Sequence, residues 1–75
     1  MDLMDLGLEY LERAVHLRQR AKGISSDLTN ADESRRRELK RRMSSLRSDA
    51  SECGRIGRLL IYYYRKGWKD EPNNL

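Results

Sequence analysis

One histidine, one cysteine and twelve acidic side chains are the groups from which this 75-residue chain could build a catalytic or metal site. His16 follows Glu12 by four residues, one turn of a helix, and that pair offers two ligands where a structural zinc ion takes four. Cys53 has no second thiol for a disulfide, and no Cys–His nucleophile pattern surrounds it. Asp2, Asp5, Glu9 and Glu12 share one helical face, but acids early in a helix are what the macrodipole favours. The chain carries no glycine-rich phosphate loop and no nucleophile motif. A non-enzymatic protein without metal or cofactor is expected.

The basic residues offer a different chemistry. Net charge is +4, distributed as −1 over residues 1–28, +2 over 29–52 and +3 over 53–75. Residues 35–42, RRRELKRR, hold six bases in eight positions. Steps of about 100° spread them round a helix. Asp32 with Arg36, Glu33 with Arg37 and Glu38 with Arg42 all stand at i,i+4 with the acid first, the order that favours ion pairs. That segment is expected to be a solvated, salt-bridged surface. Further on, Arg55, Arg58, Tyr62, Arg65 and Lys66 fall within about 100° of one another on a helical projection. Cations with an aromatic among them are the composition that stacks bases and holds phosphates, so these five form a candidate nucleic-acid or partner face. The competing reading pairs the same strip with Asp5, Glu9 and Glu12 of the first helix.

The elements that must carry these residues are helical. Leu3, Leu6, Tyr10, Ala14, Leu17, Ala21 and Ile24 step by threes and fours. A second stripe, Met4, Leu8, Leu11 and Val15, lies beside the first. Gly23 reads as a C-terminal stop, giving a first helix over about 2–22 and a connection over 23–30. Thr29 or Asn30 can cap the next helix. Leu39, Met43, Leu46, Ala50, Cys53, Gly57, Leu60 and Tyr64 then alternate fours and threes without a slip, a heptad seam predicting a second helix over about 31–66. Residues 67–75 read as a polar, disordered tail, with Trp68 folding back onto the last turn.

The expected fold is therefore all-α, an antiparallel helical hairpin with a long second helix. A break near Ser48, Asp49, Ala50 and Ser51, where Gly54 and Gly57 also weaken the helix, would make a compact three-helix bundle instead. A single 1–66 domain of this size, with mean hydropathy −0.93, has little core of its own. Both helices carry apolar arcs of about 200° at the same end of the hairpin, wider than one neighbour can cover. Met4, Leu8, Leu11, Val15, Ile56, Leu59, Leu60, Tyr63 and Tyr64 are thus the candidate oligomer interface, with a homodimeric bundle as the simplest closure. Six apolar residues from Leu59 to Tyr64 fall far short of a membrane span, and the acidic N-terminus does not resemble a signal peptide. A small cytoplasmic interaction or regulatory module, partnered with itself or another helical protein, is the reading these features support. A nucleic-acid-binding accessory protein is the alternative.

Overall fold

In the computed structural model, which describes residues 1–67, helix α1 runs Leu3–Asp27 and helix α2 runs Glu33–Arg65, joined by a short 3-10 turn, Leu28–Asn30. The helices lie antiparallel in a hairpin 56 Å long and 15 Å across. Each begins on an aspartate. The Asp2 carboxylate accepts from the Asp5 N–H at 2.8 Å, and Asp32 accepts from the Arg35 N–H at 2.8 Å. These caps satisfy donors that have no partner within the helix. Asp32 thus replaces the expected Thr29 or Asn30, because the 3-10 turn takes up residues 28–30 first.

α2 is continuous through Ser48, Asp49, Ala50 and Ser51, so the three-helix alternative does not form. Ala50 is 1% exposed at the contact with α1. The glycines that weaken this helix in isolation, Gly54 and Gly57, are buried at the same contact. Tertiary packing outweighs their helix-propensity cost of about 1 kcal/mol each. Gly23 likewise does not stop α1: its backbone stays right-handed, and the helix continues for four residues to Asp27. Ile24 and Leu28 extend the packing row by steps of three and four from Ala21, and both are half-buried. Gly67 does end α2 as a left-handed residue, φ +88°, with its N–H donating to the Tyr64 carbonyl at 3.0 Å. The expected capping role of Trp68 and the remainder of the tail lie outside the described residues.

Small residues set the distance between the helices. Gly7, Ala14 and Ala21 recur every seven positions on α1 and are all buried. At the open end of the hairpin the backbones almost touch. A Cβ on Gly7 would stand 2.9 Å from the Gly57 carbonyl oxygen and 2.7 Å from Ile61 Cγ1. A Cβ on Gly57 would stand 2.8 Å from the Gly7 oxygen and 2.9 Å from the Leu11 side chain. Each glycine therefore points a hydrogen at the other's carbonyl, a reciprocal Cα–H···O contact that no side-chain-bearing residue permits. Counting from this pairing, Asp27 falls opposite residue 37, so α2 extends about four residues beyond it, roughly 6 Å, and its first turn lies beside the connection. The chain's own 3-10 turn packs against this overhanging end of α2.

The two kinds of glycine should respond oppositely to substitution. Gly57→Val forces a branched side chain into the Gly7 backbone and is expected to cost about 3 kcal/mol. Gly23→Ala, with nothing within 4 Å of the new methyl, should stabilise by about 0.5–1 kcal/mol. Urea unfolding followed by circular dichroism at 222 nm measures both.

Candidate interaction surfaces

Close approach along the small-residue rows pushes the large side chains outward on either side of the contact, creating two broad faces. Which rows share a face follows from the antiparallel arrangement and is visible in the contacts. A Cβ on Gly54 would meet both Arg58 of its own helix and Arg18 of α1, so these arginines flank one side. Val15, Arg18, Lys22 and Arg47 line one groove on that side, whereas Ile24, Arg42, Ser45 and Leu46 line a groove on the other. Extending each row by helical periodicity assigns the remainder.

The first face is aromatic and aliphatic. By helical projection Leu3, Leu6, Tyr10 and Leu17 of α1 share this side with Cys53, Ile56, Leu60, Tyr63 and Tyr64 of α2, and Leu59 lies at its outer edge, on the back of α2. Leu59 is 42% exposed and Tyr63 36%, while the others are half-buried. The Arg13 guanidinium lies 5.1 Å from the Tyr10 ring centroid and covers the margin of this patch. Toward the loop the same face turns mixed in charge, with Arg20, Asp27 and Arg42 around its groove.

The second face is basic. Met4, Leu8, Leu11 and Val15 occupy its α1 side, continued by Arg18 and Lys22. Arg58, Tyr62 and Arg65 lie on its α2 side. Leu11 covers Gly57, but Leu8 is 52% exposed. The nine residues expected to form one oligomer interface are therefore split. By projection Met4, Leu8, Leu11 and Val15 lie on the basic face, Ile56, Leu60, Tyr63 and Tyr64 lie on the opposite one, and Leu59 lies on the back of α2 between them.

The expected ion pairs also rearrange. Among the described residues the salt bridges are His16 with Glu12 at 3.9 Å, Arg35 with Glu38 at 3.8 Å, and Arg55 with Glu52, each within a single helix. None of the three i,i+4 pairs expected around residues 32–42 forms, and Arg36 instead reaches the Ala31 carbonyl at 3.5 Å. Asp5, Glu9 and Glu12 do not neutralise the C-terminal cations, because they sit on the α1 edge turned away from α2. Within the predicted five-residue strip, Arg55 is engaged by Glu52, and Lys66 lies 5.6 Å from the Tyr62 ring centroid. Tyr62 also meets Tyr63 edge-on at 5.6 Å. His16 and Cys53 stand apart, and no three described His, Cys, Asp or Glu side chains converge on a metal position.

Sequence reasoning missed three participants on this face, Arg18, Lys22 and Arg47. The signal was an eleven-residue interval, Arg36 to Arg47 to Arg58, which returns to the same side of a helix within about 20°. Comparison of the chain with protein-family models, with curated proteins and with solved structures finds no match in any of the three.

The Arg55 hydrogen bond, followed by its positive charge, holds the Glu52 carboxyl below its ordinary value. A lowered carboxylate value makes the pair's contribution present above the unfolded Glu52 value and lost as pH falls through the folded one. Both groups are exposed, so the contribution to stability is small. NMR titration should show the Glu52 transition moving upward in Arg55→Ala.

Proposed function

We propose that this chain is a small non-enzymatic protein–protein interaction module that completes its core by pairing its aromatic face with a second copy. One observation carries the reading. The buried apolar residues are Ala14, Ala21, Leu39 and Ala50, and no large side chain among the described residues is fully buried. A core of three alanines and one leucine removes little apolar surface from water, whereas ordering about sixty residues costs roughly 1–2 kcal/mol each in backbone entropy. Small chains offset that deficit with disulfides, metals or association, and this chain has one half-buried thiol and one histidine.

The aromatic face suits self-pairing better than its opposite. It concentrates Ile56, Leu60 and Tyr63 beside Leu3, Leu6 and Tyr10, with Leu59 at its outer edge. Two copies related by a two-fold axis would bury the same patch on each, giving a closed four-helix arrangement. A row of like charges resists such isologous contact, which disfavours the basic face for this role. A lone thiol suits a reducing compartment, in keeping with a cytoplasmic site of action.

Sedimentation velocity from low micromolar to millimolar concentration tests the reading. The expected species has twice the 8.9 kDa chain mass, and Leu59→Asp should shift it to monomer with loss of helix content. Tyr62→Ala, on the opposite face, should leave the dimer intact. A wild-type chain that stays at 8.9 kDa throughout, with a well-dispersed NMR spectrum, contradicts it.

A further inference from the structure

The basic face combines two features that neither helix shows alone. Along α2, Arg36, Lys40, Arg47, Arg58 and Arg65 project within about 40° of one another, a straight row roughly 44 Å long. Arg18 and Lys22 of α1 turn to the same side, and all seven side chains are exposed. Apart from the contact of Arg36 with the Ala31 carbonyl, none of the seven has a hydrogen bond or ion pair among the described residues. Beside the row stand Leu8 at 52% and Val15 at 47% exposure, with Tyr62 at 54% among the cations. On α1, Asp5 and Glu12 stand one helical turn from Leu8 and Val15 on the side away from α2, and on α2 Glu33, at the loop end, borders the row.

We propose that this face docks on the surface of an anionic lipid bilayer, its cations taking the headgroups while Leu8, Val15 and Tyr62 enter the headgroup–acyl boundary. Charge alone would fit any polyanion. The aliphatic side chains decide between them, because a nucleic-acid strand would use the cations and Tyr62 yet leave Leu8 and Val15 in water. A bilayer satisfies both sets at once, and its planar charge matches a straight row on a flat two-helix face. No described helix is long and apolar enough to cross the membrane, so the association is peripheral. It does not rest on self-pairing, since the aromatic face points the opposite way.

The test is co-sedimentation of the full chain with phosphatidylcholine vesicles containing about 30% phosphatidylglycerol, and with pure phosphatidylcholine vesicles. A mixed-sequence 30-nucleotide strand and its duplex, followed by anisotropy, are titrated in parallel. Binding to the anionic vesicles, little to the neutral ones, and a loss of about tenfold or more between roughly 50 and 300 mM salt are expected. Arg47→Glu with Arg58→Glu should weaken vesicle binding by about tenfold or more with helix content unchanged. Leu8→Ser with Val15→Ser keeps every charge and should weaken it about threefold or more; if helix content falls, Tyr62→Ser alone serves the same purpose. Equal binding to both vesicle types overturns the proposal, as does wild-type affinity in the double charge reversal. Nucleic acid bound more tightly than vesicles and indifferent to Leu8→Ser with Val15→Ser would overturn it in favour of a phosphate backbone.

Discussion

Gly7 and Gly57 present backbone to backbone, each directing a hydrogen at the other's carbonyl oxygen, and this side-chain-free contact governs what the rest of the hairpin can do. Helices held so close leave no room for a layer of large side chains between them. The seam is filled instead by Ala14, Ala21, Ala50 and Gly54, with Leu39 near the loop. Leucines and tyrosines, which in a wider bundle would interdigitate in the middle, are displaced to the two flanks. Surface composition is thus a consequence of interhelical distance. A thin core and two well-furnished faces are one structural fact seen from two sides.

The flanks differ in character because the antiparallel arrangement joins unlike rows. The row after the seam on α1 meets the arginine row of α2, and the row before it meets the leucine–tyrosine row. One face can then bury itself against an apolar surface while the other stays charged. Arg55 and Lys66 are partly occupied, by Glu52 and the Tyr62 ring, so the unengaged cations on this face are mainly those of the long row.

Much of the fold was legible in the sequence. All eight positions of the α2 seam, from Leu39 to Tyr64, are buried or half-buried, and the α1 stripe from Leu3 to Ile24 is too. Heptad spacing is a strong signal because a single phase slip would rotate every later residue out of the contact. Gly7 was invisible to that reasoning, since apolar periodicity gives a glycine no packing role. Gly23 misled in the opposite direction. Its helix-stopping tendency is local, and two later anchors, Ile24 and Leu28, overrode it. The faces were harder still. Each helix taken alone shows an arc about 200° wide, and only register and direction reveal that one half of each arc faces up and the other down. The long cation row was hidden by the conspicuous run at residues 35–42, which drew attention from the eleven-residue interval.

The central claim is that the glycine contact separates an associating apolar face from an exposed basic one. Isotope-filtered NOE spectroscopy on a mixture of labelled and unlabelled chains measures this directly. Intermolecular contacts are expected from Leu59, Leu60 and Tyr63 to the same surface of the partner, with none from Leu8, Val15 or Tyr62. Intermolecular contacts centred on Leu8 and Val15, or no intermolecular contacts at millimolar concentration, would contradict the account.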